Sequence, residues 1–392
     1  MSDIFWKHEN VLWPVPLKKR EQGPPLRAKP TAYRPNHEPE LLPDITALPP
    51  QTLPLIASLK GNNIQQQPQS PLFRLPLEIR QNIWELSTAT VCDPDRPYNR
   101  GWLHWRPNST GPFRVDTALL KTCRAIYAET WDLPLKQTTL VIHEGTEQDR
   151  PLWRPVYPVV LGKGLFYLQA WQILLIRRAH MTFSQFRLRE GSIKEWFNRV
   201  SDARSKARNV ISELAEKPET DYNNGIIQGL LHTQFRTLVV RINRRDWWSW
   251  GNPPDDPEQI AYIKAHPDPK RHCLGLDPDT LRNWGGSEDL FSPAFELVLE
   301  LETFGVKWNQ LDHAVEEAKG FVLSKTHSWG EGDKHLAWDG CVKDCSWDLG
   351  FVDDCNWFRN KKWKGMGKRV EVREVRYSFR DVGKKAESQN TN

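Results

Sequence analysis

Four potential zinc ligands, His335, Cys341, Cys345 and Cys355, fall within 21 residues. Thiolates and an imidazole suit tetrahedral zinc. The Cys-x3-Cys-x9-Cys spacing lacks a second close pair, so buried structural cysteines are the favoured reading and no metal is assigned. Cys345-Ser-Trp and Cys355-Asn-Trp recur ten residues apart and suggest a hairpin. Gly162-Lys163-Gly164 and Gly365-Met366-Gly367-Lys368 place glycines beside lysine. A phosphate-binding loop needs Gly-x4-Gly-Lys-Ser/Thr, so both read as turns. No Gly-x-Ser-x-Gly elbow or His-Glu-x-x-His run occurs. Asp255-Asp256 and Asp353-Asp354 sit among turn residues. The expectation is a chain that is not an enzyme and takes no cofactor.

Binding chemistry has more candidates. Between Arg359 and Lys385 stand 11 basic and 3 acidic residues, interleaved with Trp363, Tyr377 and Phe379. Basic groups neutralise phosphates and rings stack on bases. Arg177 to Arg208 is also basic, at 9 against 3. A solvated face is the favoured reading of both, with nucleic-acid contact through Arg369, Arg373 and Arg376 as the alternative. Trp247-Trp248-Ser249-Trp250, directly after a strand, reads as a lid over the core rather than a recognition edge.

Elements must hold these residues. The chain has 392 residues, 19 Trp, 15 Phe and a net charge of +5, enough apolar mass for a sizeable core and too mild a charge to require nucleic acid. Thirteen of the 30 Pro lie from Pro14 to Pro71, and residues 1–70 read as a disordered arm. Two apolar pieces in it, Ile4-Phe5-Trp6 and Val11-Leu12-Trp13, are candidates for docking on the body or on a partner. A helix is expected from Leu77, with Ile79, Ile83 and Leu86 on one face at i, i+4, i+7. Thr88 to Asp116 reads as a 29-residue loop with a short hairpin at Trp102–Trp105, and Thr117 to Trp131 as a second helix. From 138 to 382 strands and helices alternate. The strands are Thr138–Ile142, Ile173–Ile176 with Ala179–Phe183, Thr237–Ile242, Phe295–Leu301 and Val370–Tyr377. Helices are expected over Ser192–Glu216 and from Trp308 to Val322. That order predicts an α/β body with a mixed, largely parallel sheet under covering helices. Residues 383–392 read as a disordered tail. With six sparse Cys, no signal-like start and no apolar run of membrane length, a cytoplasmic or nuclear location is expected.

Leu75-Pro-Leu-Glu-Ile-Arg-Gln-Asn-Ile-Trp-Glu-Leu86 resembles the first helix of an F-box. Leu119-Leu-Lys-Thr-Cys-Arg-Ala-Ile-Tyr-Ala-Glu129 is similar to a recurring segment of fungal F-box-like proteins of unknown function, as is Trp171-Gln-Ile-Leu-Leu-Ile-Arg-Arg178. The resemblance covers residues 72 to 185. It implies a non-catalytic protein-interaction module, an adaptor between the linker subunit of a cullin-type ubiquitin ligase and a substrate protein. Leu75, Pro76, Ile79, Ile83 and Leu86 would face the linker subunit. The bland alternative buries Ile79, Ile83 and Leu86 against Leu120, Cys123 and Tyr127.

Overall fold

The computed structural model describes residues 51–59, 64–65, 67–95, 97–98, 105–111, 113–143, 168–183, 188, 192–216, 224–244, 276, 291–305, 308–328, 333–348 and 369–381. Nine strands are named among them: β1 Thr90–Cys92, β2 Phe113–Val115, β3 Thr139–His143, β4 Arg178–Thr182, β5 Phe235–Ile242, β6 Phe291–Phe304, β7 Val322–Ser328, β8 Asp333–Asp348 and β9 Arg369–Asp381. The helices are α1 Leu55–Ser58, α2 Leu77–Ser87, α3 Arg124–Thr130, α4 Leu133–Gln137, α5 Ala170–Leu175, α6 Ser192–Ala215, α7 Asn224–Leu231 and α8 Trp308–Lys319.

Seven strands form one sheet in the order β3-β4-β5-β6-β9-β8-β7. β3 to β6 pair in parallel, and β9, β8 and β7 follow antiparallel. Five of the seven strands therefore point the same way, because β8 runs with β6. The α/β class is as expected.

Crossovers that step steadily from β3 to β5 put their helices on one side when right-handed. α5, α6 and α7 pack on one another there, and α8 lies over β6 and β9. Alternation then sorts the strand residues between the two faces. Leu297, Leu299 and Leu301 are fully buried toward the helices. Tyr377, the register partner of Leu297, donates its hydroxyl to Ala318 O of α8 at 2.7 Å. Trp196, Phe197, Val200, Ala207 and Ile211 of α6 fill the same core, with Trp196 set edge-on against Phe235.

The structure corrects several readings. Ile173–Ile176 is not extended: Ala170–Leu175 is a helix, and only the chain after it forms β4. A short apolar run has no readable period. Here a capping box decides, in which Gln169 and Gln172 bond each other's backbone. Thr117–Trp131 is not one helix. Ala118–Lys121 is a 3-10 turn capped by Asp116 (Ala118 N to Asp116 Oδ1, 2.8 Å), and Cys123 is extended and caps α3 through Ile126 N, 3.5 Å from its Sγ. The loop 88–116 is tied at its ends by the antiparallel β1–β2 ladder. Trp102 and Leu103 lie outside the described residues. β7 and most of β8 went unread, because β8 breaks its alternation at a bulge between Trp338 and Val342, where Gly340 has φ +92°.

Residues 51–58, placed in the arm by their composition, are docked. Gln51 Oε1 accepts from Ala170 N at 2.8 Å, Gln169 Oε1 accepts from Thr52 N at 3.0 Å, and Ile56 and Ala57 are buried. The backbone of Leu55 and Ile56 hydrogen-bonds the Tyr127 hydroxyl. No helix among the described residues is long and apolar enough to cross a membrane.

Candidate protein-interaction site

α2 begins at Pro76, whose extended conformation (φ −52°, ψ 149°) lets its carbonyl accept from Ile79 N and Arg80 N, both at 3.1 Å. It ends at Thr88, whose N and Oγ1 both donate to Trp84 O. An 11-residue helix in water has little stability of its own, so tertiary contacts must hold it.

Its inward side is Arg80 and Trp84, four residues apart. Trp84 is 1% exposed. Arg80 donates to Glu129 of α3 twice, Nε to Oε2 at 3.0 Å and Nη2 to Oε1 at 2.8 Å. Trp84 Nε1 donates to the same Oε2 at 2.8 Å. Arg80 Nη1 also reaches Leu75 O at 2.6 Å, tying the helix to the turn before it. Gln137 of α4 donates to Glu85 O. The 29-residue insertion therefore does not part the helices: one carboxylate gathers a bidentate guanidinium and an indole.

Burial pushes the Glu129 carboxyl up, but the hydrogen bonds from Arg80 and Trp84 outweigh it and hold the carboxyl below its usual range. Buried Glu300 and Glu302 of β6 behave alike: desolvation raises them, and neighbouring arginines bring them well below the ordinary value. A carboxyl lowered on folding contributes stability above its unfolded pKa of about 4.3 and loses it as pH falls through the folded value. Stability should thus be flat from about pH 8 to 5 and fall below about pH 4. Urea midpoints against pH test this, with Glu129→Gln expected to flatten part of the acid slope while lowering the neutral midpoint. Midpoints unchanged down to pH 3, about one unit below the unfolded value, would refute it.

The outward side of α2 is the apolar stripe. Ile79 is 47% and Leu86 79% exposed. Ile83 and Leu75 are half-buried, and Pro76 is exposed. Burial against Leu120, Cys123 and Tyr127 does not hold for Ile79 and Leu86, which are exposed, while Arg80 and Trp84 face inward. Glu78 and Glu85, seven residues apart and exposed, flank the stripe on one side. Among the described residues the exposed large apolar side chains are Leu55, Leu77, Ile79, Leu86, Val91 and Trp308. All but Trp308 belong to α1, α2 and β1. Of these, Ile79 and Leu86 share one face of α2, and apolar side chains exposed on a common face are candidates for a docking surface.

The other sequence candidates fare differently. Cys341 is exposed and Cys345 half-buried on β8. Cys355 and the His335 side chain lie outside the described residues, among which no group of three His, Cys, Asp or Glu could hold a metal. Gly162–Gly164, Gly365–Lys368, Trp247–Trp250, Asp255-Asp256 and Asp353-Asp354 also lie outside them. Arg369, Arg373 and Arg376 of β9 do not form an unopposed basic track. Arg369 pairs with Glu371, Arg373 with Asp312, Asp344 and Glu371, and Arg376 with Glu374. Of the basic run on α6, Arg204 is buried.

Sequence reasoning missed two constellations. Arg80 and Glu129 stand in two separate motifs, and their opposite charges are the available sign of a pairing. The second is an ionic row on the sheet face opposite the helices. Thr182, Arg241, Glu300, Glu374 and Lys343 are successive register neighbours across β4, β5, β6, β9 and β8. Two glutamates side by side repel. Arg106, from the β1–β2 loop, relieves this by pairing with Glu300 at 3.0 Å and Glu302 at 2.7 Å while its guanidinium lies over Trp347, 5.4 Å from the ring centre. Arg241 and Arg244 complete the set on Glu300 and Glu302. The insertion in the helical region is thereby clamped to the body.

Compared with protein-family models, with curated proteins and with solved structures, the chain matches none.

Proposed function

We propose that this chain is a protein-interaction module of the F-box-like kind, a cytoplasmic or nuclear adaptor. In this reading α2 docks on the linker subunit of a cullin-type ubiquitin ligase through Ile79, Ile83 and Leu86, with Leu75 and Pro76 at its start. The α/β body takes up a substrate protein. Binding proceeds by packing apolar anchors, with no bond chemistry. The observation that carries the reading is the division of α2. Its Arg80–Trp84 side is pinned to Glu129, so the apolar stripe beside it is carried on a rigid support.

The stripe's exposure makes the test clean. Exposed positions tolerate polar substitution within about 0.5 kcal/mol, so Ile79→Asp/Leu86→Asp should keep its circular dichroism and melting temperature. Affinity capture from native cell extract should recover the linker subunit and a cullin with wild type and neither with the double mutant. Absence of both from the wild-type sample, or their retention by a folded double mutant, would overturn the proposal.

A further inference from the structure

The apolar stripe on α2 has acidic residues along one flank, and exposed Arg74 precedes its start. Glu78 and Glu85 are exposed, and Arg80, the helix's only basic residue, faces inward to Glu129. The occupant that fits is an apolar segment followed by positive charge. The chain itself carries such a segment. Val11-Leu12-Trp13-Pro14-Val15-Pro16-Leu17 is apolar throughout, and Lys18-Lys19-Arg20 follows directly. Its prolines favour an extended, pre-ordered peptide, which loses little entropy on docking.

Where the arm joins the body brings it within reach. Gln51 and Thr52 are bonded to the start of α5, and α1 sits under Tyr127 of α3, the helix whose Glu129 holds α2. From Arg20 to Gln51 lie 31 residues, and a coil of that length would reach about 30 Å. A tether of that length gives an effective concentration on the order of millimolar. Weak contacts suffice at that concentration. The acidic flank also sets a direction, because the basic triplet must lie along Glu78 and Glu85.

We infer that residues 11–20 of the chain's own N-terminal arm dock on the α2 stripe and occlude it. The inference rests on the reading of α2 as an interaction face. It makes that face self-limited: a partner must displace the arm.

The test uses the full chain with a photo-crosslinking residue, Leu86→p-benzoylphenylalanine, illuminated at low protein concentration, and the product mapped by mass spectrometry. An intramolecular link to residues 11–20 that disappears in Leu12→Ser/Trp13→Ser supports the inference. Lys18→Glu/Lys19→Glu/Arg20→Glu should cut the yield about tenfold, and adding Glu78→Lys/Glu85→Lys should restore it, since like charges oppose docking and swapped charges favour it. Links to another part of the chain, links between two copies, or no link overturn it. This readout involves no partner, so it can fail while the adaptor reading survives, and the reverse. Where the linker subunit binds, Leu12→Ser/Trp13→Ser should tighten capture by about tenfold, the factor expected if one molecule in ten has its face open. Unchanged affinity would show that the arm does not compete.

Discussion

Glu302→Ala is expected to lower stability by about 3–5 kcal/mol, the range for breaking a buried ion pair from one side. Glu302 is fully buried and holds two guanidiniums, Arg106 and Arg244. Its removal takes a buried carboxylate from both, leaving Arg106 with Glu300. Arg106 also loses part of its hold on the sheet, so the β1–β2 loop should loosen. Two measurements check this: the urea midpoint, and limited proteolysis within residues 93–112. Arg106→Leu/Glu302→Leu should cost less than the sum of the single changes, because the pair is removed together. Additive costs would mean that the charges do not act as a unit.

The second large effect is expected at Arg204. This arginine of α6 is 1% exposed and pairs with no carboxylate among the described residues. It donates Nη1 to Ile173 O and Ile176 O, both at 3.2 Å, and Nη2 to Thr233 O. Its guanidinium also lies over the Phe235 ring. These carbonyls come from the end of α5 and the turn after α7, where unpaired carbonyls carry the negative pole of a helix. The arginine thus joins α5, α6 and α7. Burial, with the charges of Arg208 and Arg177, presses its pKa down to about 9, so it stays charged at neutral pH. Arg204→Ala leaves three buried carbonyls unsatisfied, at about 1–3 kcal/mol each. A loss of roughly 3 kcal/mol or more should lower the melting temperature by about 6–12 °C. Arg204→Lys should recover little, because one ammonium does not span the three acceptors as a planar fork does. Full rescue by lysine would reduce the role to charge alone.

The two arginines show how far reading along the chain goes. Ser192–Glu216 is legible as an amphipathic helix because Ile193, Trp196, Val200, Ala203 and Ala207 recur at helical spacing. The same reading sends Arg204 to the wet face. It is instead drawn inward by carbonyls of α5 and of the turn after α7, a local pattern that no single helix contains. On α2 Ile79 and Leu86 are exposed and Ile83 is half-buried. The apolar stripe marks the helix correctly but suggests the wrong side as buried, since Arg80 and Trp84 are inward only because Glu129 waits 45 to 49 residues away. On β6 Glu300 and Glu302 are buried. Arg106, nearly 200 residues earlier, covers both.

What the sequence determined by itself is therefore local and periodic: α6, α8, β5, β6, β9, the helical state of α2 and the α/β order. These follow from side-chain spacing against 3.6- and 2-residue repeats, which every chain segment carries within itself. The tertiary structure alone decided the sheet order with its antiparallel half, the helical state of Ala170–Leu175, the docking of residues 51–58 and the burial of Arg80, Arg106 and Arg204. Each of these depends on a partner distant in sequence. A charged side chain is buried or solvated according to whether a counter-charge or a set of carbonyls meets it, and only the folded chain brings the two together.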